Sequence, residues 1–451
     1  MAGLTAGARA SLAQVIEATP DPALGLMRAA VARMAGEKAA QVAQMLETAF
    51  DDRRRRAVAF RAVIPLFRPR ADGLDFPRFP PRVLPRLWRA AADRDPMLGS
   101  MLDSPRDEDS SRRALARARL YAFAAEAVRT QPEVVWPLPE AAADIAAREA
   151  GLADLAGCCD LGMLAHRATR DLADWVGRPD EDRLAEFRLM VRDAASADAD
   201  GVRRLVDILA AHVDEAGLVL RLAVHACGLG GEAMLRHSEL AVVVERILDG
   251  FDERARRIAA FRSGDTAEPL RHDLDWCVSV LDAVDVAVHA DPNGTWARRV
   301  SAAKAAVSGM IDERLDAADR TMGRVLPMRD AQTAGRMTRR VPRLDVEIDP
   351  SDLKAAVSMA GLIAAIRHSA SRFGCEARRQ SVLQELTTAL FDHADLTLDA
   401  LAADEAPDAA LARTRATQVM DLLERMGCPI EARTVRRRLQ GLRTQSAARA
   451  G

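Results

Sequence analysis

The sequence predicts an all-α protein, built as an antiparallel multi-helix bundle or a helical-hairpin array with long helices and one proline-rich irregular crossover. Apolar residues recur at spacings of three and four over most of the 451-residue chain. Residues that favour helices dominate the composition, and clusters of β-branched residues are scarce. Short turns such as GLGG, SGDT and DPNG separate the later periodic segments. Long helices joined by short turns must run antiparallel to their neighbours.

The order of the periodic and broken segments predicts five regions. An N-terminal helical unit (1–64) precedes a crossover rich in proline, arginine and aromatic residues (65–100), where proline density forbids a continuous helix. The main helical bundle (101–323) leads to an extended linker (324–350). Within this linker, RLDVEI alternates apolar and polar residues but has no evident partner strand, so we expect it to lie on helices. A C-terminal helical unit with a basic tail (351–451) ends the sequence.

Periodicity predicts where the long helices of the last regions lie. The predicted helices span about 202–226, 231–262, 267–290, 295–323, 350–403 and 408–443.

Two short stretches within these helices invite other interpretations. AAVSMAGLIAAI (355–366) is the most apolar run, but it is too short to span a bilayer and is typical of a buried helix. GLGGEA (228–233) resembles a dinucleotide-binding turn. Too few residues follow it for a crossover helix, so we interpret it as a glycine C-cap between two helices.

Composition favours a cytoplasmic protein. The formal net charge is −2, so the molecule as a whole is not a polyanion binder. The six cysteines form no C-x-x-C motif, and the first residues do not resemble a secretory leader. We expect no membrane span and no cofactor. Only three of the 64 basic residues are lysines, which codon usage explains as simply as anion recognition does.

The segment 50–89 is the strongest candidate for a partner contact. Eleven arginines stand against four aspartates, and six of the chain's 17 aromatic residues lie in the same stretch. Arginine and aromatic side chains dominate interface energetics. The alternative is that the aromatics anchor the crossover to the body while the arginines stay solvated. The candidate partner-binding residues are Arg53, Arg54, Arg55, Arg56, Phe60, Phe67, Arg68, Phe76, Phe79 and Trp88.

The stretch RHDLDWC (271–277) is the only candidate metal site. His272, Asp273 and Asp275 are metal-ligand types, and helical His-Asp phosphohydrolases use an adjacent pair of this kind. A site needs three or four ligands, and no second pair lies in sequence reach, with His289 about 25 Å further along the helix. Cys277 lies on the apolar stripe of this helix and is predicted to be a core residue. A solvated acidic face is the simpler interpretation.

The leading hypothesis is therefore a non-enzymatic cytoplasmic interaction or scaffold protein with a protein partner. One alternative is a metal-dependent helical hydrolase centred on His272 and Asp273. Another is a nucleic-acid-binding regulator that uses the 50–89 segment or the basic C-terminal tail, where six arginines stand against Glu431. Assembly into a homo-oligomer is left open.

Overall fold

The computed structural model describes residues 3–74, 76, 78–103, 111–139, 143–169, 172–177, 180–228, 232–287, 294–333 and 337–450. It is 76% helical with one small two-stranded sheet, so the predicted all-α class is confirmed. None of the described helices combines the length and the apolar character needed to cross a membrane. The chain divides into two compact units, Met1–Arg246 and Ile247–Gly451. The five regions predicted above stay a prediction.

The described residues of the first unit form helices and connecting segments, with no strand among them. Its α-helices are α1 (Ala6–Ala18), α2 (Asp21–Val31), α3 (Glu37–Ala59), α4 (Val83–Ala92), α5 (Pro96–Met101), α6 (Ser111–Thr130), α7 (Pro132–Val135), α8 (Ala143–Ala168), α9 (Leu172–Gly177), α10 (Glu181–Ala197), α11 (Gly201–Ala210), α12 (Ala216–Ala226), α13 (Glu232–Arg236) and the start of α14 (Ala241–Ala259). A 3₁₀ turn spans Ile64–Phe67.

Two packing centres hold the first unit together. Ile16, Leu24 and Leu46 join α1, α2 and α3 in a small apolar cluster. Further along, α6 packs closely on α8, and a Cβ at Gly162 would collide with the ring of Tyr121. The absence of a side chain at this glycine therefore allows the two helices to approach.

The proline-rich crossover contains more helix than its composition suggests. The 3₁₀ turn and α4 both form inside it, although it carries seven of the chain's prolines. Pro85 is the third residue of α4, where a main-chain N–H would have no intrahelical partner. Proline is therefore tolerated in this first turn, and the crossover is only partly irregular.

The second unit continues from α14 into a second set of helices and one hairpin. Its elements are α15 (Ala267–Ala287), α16 (Thr295–Asp316), α17 (Ala318–Val325), β1 (Met328–Thr333), β2 (Met337–Pro342), α18 (Pro350–Ala365), α19 (Glu376–Ala402), α20 (Ala409–Arg425) and α21 (Pro429–Ala450).

A hairpin that the sequence analysis did not predict lies in the linker, just before RLDVEI. β1 and β2 pair antiparallel, with Met328 opposite Pro342 and Thr333 opposite Met337, and the turn residues lie outside the described part. RLDVEI follows β2 in an irregular conformation, with Leu344 buried. The strand pair escaped notice because MRDAQT and MTRRVP carry no apolar alternation.

Several of the predicted long helices are shorter than expected. Five of the predicted helices are each divided into two, namely those over 202–226, 231–262, 295–323, 350–403 and 408–443. Gly427, with φ of 85°, ends α20, and Pro429 begins α21, so this break follows ordinary helix-stop chemistry.

Two finer predictions about helices are confirmed. α18 buries most of its apolar residues, as expected for AAVSMAGLIAAI. Gly228 follows the end of α12 with φ of 81° and donates to the carbonyl of His225. GLGG therefore starts as a glycine C-cap, and its remaining residues lie outside the described part.

Candidate functional site

The aromatic half of the predicted partner-binding segment lies inside the first unit. Phe60 packs edge-on against Trp88 with ring centroids 5.9 Å apart, and Phe67 packs against Phe79 at 5.4 Å. These four side chains and Phe76 are all buried. A chain with few internal backbone hydrogen bonds is held in place by burying such side chains. These five aromatics therefore anchor the crossover to the rest of the unit, and their contact with a partner stays a prediction.

Phe76 shows how the crossover is attached. The guanidinium groups of Arg70 and Arg246 lie 5.2 Å and 5.6 Å from its ring centroid. Arg70 also donates to the carbonyls of Ala210 and Val213, just where α11 ends. A single arginine therefore fixes the crossover and caps a helix far away in sequence.

Three of the four consecutive arginines in α3 have structural partners. Arg53 donates to two main-chain carbonyls at the end of α1 at 2.8 Å. Arg55 forms a bidentate pair with Asp103, which also accepts from Arg54 at 3.1 Å. The hydrogen bond from Arg55 lowers the pKa of the Asp103 carboxyl. Arg68, by contrast, is exposed and lines no cavity described below.

A cavity of about 290 Å³ lies between α1, α3 and α4. Its apolar wall comes from Ile16, Met45, Ala49, Pro85 and Trp88, and its polar lining includes carboxylates and arginines from the same three helices. One water needs roughly 10–15 Å³ of such space, so the cavity can hold a much larger group. We call it the α3 cavity.

Arg56 is the unusual residue of the α3 cavity. It is half-buried, and it makes no hydrogen bond or ion pair with any described group. Burial lowers the pKa of its guanidinium, and the charge of Arg53 acts in the same direction. Asp52 and Glu17 act weakly in the opposite direction. An arginine stays protonated in proteins, so its donors remain available to an acceptor that enters the cavity.

An open groove continues from the α3 cavity along α4. Arg89 lines both, and the groove adds Arg86, Arg94, Gln131 and Val134 over about 500 Å³. Asp93 also lines the groove, so its lining holds three arginines, one aspartate and an apolar edge. The α3 cavity and this groove form one surface, which suits an elongated ligand better than a compact one.

The candidate metal residues are not assembled into a site. His272 and Asp275 are exposed, and Asp273 accepts from Arg257 at 2.6 and 2.9 Å. Arg254 lies 3.7 Å from the same carboxylate. Among the described residues, no group of three or more His, Cys, Asp and Glu side chains is placed to hold a metal ion. The carboxylate that a metal would need is thus engaged by arginines.

The last two residues of RHDLDWC, Trp276 and Cys277, are buried packing residues. Cys277 is buried, as predicted, and burial raises the pKa of its thiol to about 12. Trp276 is buried beneath the guanidinium of Arg254, 3.9 Å from the ring centroid. His289 lies outside the described residues.

The basic C-terminal tail forms the helix α21. Arg438 pairs with Asp395 and Asp399 of α19, and Arg436 pairs with Glu424 of α20. Part of the tail's positive charge is therefore balanced within the chain.

Sequence reasoning included Arg53, Arg56 and Trp88 but missed the rest of the α3 cavity. Ile16, Met45 and Pro85 stand in ordinary apolar or turn positions, and no local pattern links them. Only the packing of α1 against α3 and α4 brings them together.

The comparisons with known proteins add no relative. No protein-family model matches the chain, and no curated protein or solved structure matches it.

Proposed function

We propose that this chain is a non-enzymatic, cytoplasmic interaction protein that binds an acidic amphipathic segment of a partner protein in the α3 cavity and the adjoining groove. The observation that carries the proposal is Arg56, a half-buried guanidinium in a cavity with an apolar wall, where it makes no hydrogen bond or ion pair with a described residue. Removing a charge from water without pairing it is unfavourable. A partner carboxylate would supply the missing acceptor, and an apolar side chain beside it would fill the cavity.

The groove is the reason that we propose a peptide segment, rather than a small molecule, as the ligand. Of the groove's arginines, Arg89 already pairs with Glu17 and Arg94 with Glu126. Arg86 of α4 and, in the cavity, Arg56 form no ion pair with a described residue. An amphipathic helix places apolar residues on one face and charged residues beside them. Such a segment would insert an apolar anchor beside Trp88 and set acidic residues against these arginines.

The other hypotheses have weaker support. Metal-dependent hydrolysis needs ligands near His272, but Asp273 is held by arginines. Nucleic-acid binding by the arginines of α3 competes with the ion pairs that Arg54 and Arg55 make with Asp103. A titration with single-stranded DNA at two salt concentrations tests this alternative, because phosphate contacts weaken steeply with salt.

The direct test uses fluorescence anisotropy with the full chain and a labelled 16-residue helical peptide. Leucine and phenylalanine recur every three to four positions in the peptide, and glutamate fills the others. We expect saturable binding that Arg56→Met weakens by about tenfold or more, as for an interface hot spot. Ala49→Phe, which fills the cavity, should weaken binding as well.

The controls separate the cavity from general charge. Arg68→Met removes an exposed arginine outside the cavity and should leave the affinity within about twofold, since exposed charges contribute little. A peptide with glutamine in place of glutamate should bind poorly. Equal losses in Arg56→Met and Arg68→Met, or no binding of the acidic peptide, would contradict the proposal.

A further inference from the structure

The second unit contains a buried arginine without a counter-charge. Arg415 of α20 is 1% exposed, and its only hydrogen bond runs from Nη2 to the carbonyl of Val346 at 2.8 Å. Its buried Nε and Nη1 atoms have no hydrogen-bond partner among the described groups, and no described carboxylate lies within ion-pair distance. A guanidinium is always protonated in proteins, so a full positive charge lies in this interior.

A second buried polar side chain lies on the neighbouring helix. His393 of α19 is 2% exposed, and neither ring nitrogen makes a hydrogen bond with a described group. Burial, and then the charge of Arg415, lowers the pKa of His393 to about 4; the nearby carbonyl of Pro327 acts weakly in the opposite direction. The imidazole is therefore neutral at pH 7 and offers one N–H donor.

The surrounding polar groups do not balance this charge. Thr397 follows His393 by one turn, but its hydroxyl donates to the His393 carbonyl at 2.7 Å. Asp392 precedes His393 in sequence but is exposed, and Asp395 and Asp399 pair with Arg438. Neither these carboxylates nor the Thr397 hydroxyl forms a hydrogen bond with the buried Nε and Nη1 of Arg415 or with the His393 ring.

We propose that Arg415 and His393 form a buried binding site for a small monovalent anion of the size of chloride. An anion supplies what the two residues lack, an acceptor for several N–H groups and a negative charge beside an unbalanced positive one. Phosphate and sulfate fit less well, because their many oxygens require more donors than these two side chains provide. The carbonyl of Val346 accepts only one of the arginine's five N–H bonds, so it does not replace an anion.

The test is thermal unfolding of the full chain while sodium gluconate is replaced by sodium chloride at constant ionic strength. For the wild type we expect the melting temperature to rise and saturate with chloride, because a ligand of the native state stabilises it by mass action. Arg415→Met should weaken the apparent chloride affinity by at least tenfold. Arg425→Met, which removes an exposed arginine from the same helix, should leave the affinity unchanged.

Two further measurements keep the inference decidable. If Arg415→Met does not fold, His393→Leu removes one donor and should weaken chloride binding by several-fold. The line width of the ³⁵Cl resonance should broaden with the wild-type protein, and added bromide should reverse the broadening. No saturable chloride effect, or the same effect in wild type and the folded variant, would overturn the proposal.

Discussion

Arg70 in the first unit and Arg415 in the second are both buried and both donate to main-chain carbonyls, yet they differ in charge balance. Arg70 forms a bidentate pair with Asp72, with bonds of 2.9 and 2.6 Å, and the two side chains are only 5% and 4% exposed. Among the described residues, Arg415 has one carbonyl as a partner and no carboxylate. Both arginines therefore bind main-chain carbonyls in the interior, but only the charge of Arg70 is balanced by a carboxylate.

The difference separates architecture from a candidate site. A buried charge that pairs with a carboxylate of the same chain does not require an external ligand. The structural role of Arg70 in holding the crossover therefore accounts for its burial. A buried charge without such a partner points to something outside the chain. Arg56 in the α3 cavity is a milder case of the same kind, because it is only half-buried.

The largest effect is expected from removing the counter-charge of Arg70. Asp72→Asn leaves that buried guanidinium unbalanced and should lower the free energy of unfolding by about 3 kcal/mol. Urea denaturation of the full chain measures it. Glu126→Gln, which breaks the more exposed pair with Arg94, is the control and should cost no more than about 1 kcal/mol. A loss below 1 kcal/mol in Asp72→Asn would show that Arg70 tolerates isolation.

A buried acidic residue, Asp207, gives the corresponding test for a negative charge. Asp207 lies near Arg203 and Arg246, but burial outweighs them and raises its pKa to about 6. The native state thus keeps this proton from about pH 4, where the unfolded chain loses it, up to about pH 6. The unfolding free energy of the wild type, relative to Asp207→Asn, should therefore fall as pH rises through this window, by on the order of 2 kcal/mol. Urea titrations at several pH values measure this difference, and a flat profile would contradict the prediction.

The ring of Phe76, which lies near two guanidinium groups, should contribute less to the free energy of unfolding. Phe76→Leu removes the cation–π contacts with Arg70 and Arg246 and should lower the free energy of unfolding by about 1–2 kcal/mol. Phe50→Leu is the matched control, since Phe50 is half-buried with one guanidinium, of Arg28, at 4.7 Å. We expect a smaller loss there. Equal losses would mean that packing, rather than the two arginines, sets the value of Phe76.

Helix class and some helix ends could be predicted because their causes are local. Gly228 ends a helix by its own backbone conformation, and the same signal at Gly427 and Pro429 was present but overlooked. The end of α11 is different. There, Arg70 reaches the carbonyls of Ala210 and Val213 from 140 and 143 residues away. No local pattern at that position carries such information.

The candidate sites could be predicted even less, because composition does not report burial. The aromatics of the crossover look the same in sequence whether they face a partner or the core, and the structure buries Phe67. Arg56 was included only as one of four consecutive arginines. What distinguishes it is the acidic partner it lacks, and a missing partner is visible only in three dimensions. No sequence pattern predicted a site at Arg415 and His393, since 22 residues separate them.

The smallest change in stability is expected for Arg415→Met, which removes the arginine that has no counter-charge among the described residues. In chloride-free buffer, Arg415→Met replaces an unbalanced buried charge with an apolar side chain of similar length. It loses one hydrogen bond, worth roughly 1 kcal/mol, but removes the unfavourable burial of a charge. The free energy of unfolding should therefore stay within about 1 kcal/mol of wild type, or rise. The same measurement in saturating chloride should favour the wild type, because only it gains the ligand's contribution. A loss of 3 kcal/mol or more in chloride-free buffer would instead place Arg415 with Arg70, as a charge already balanced by its own chain.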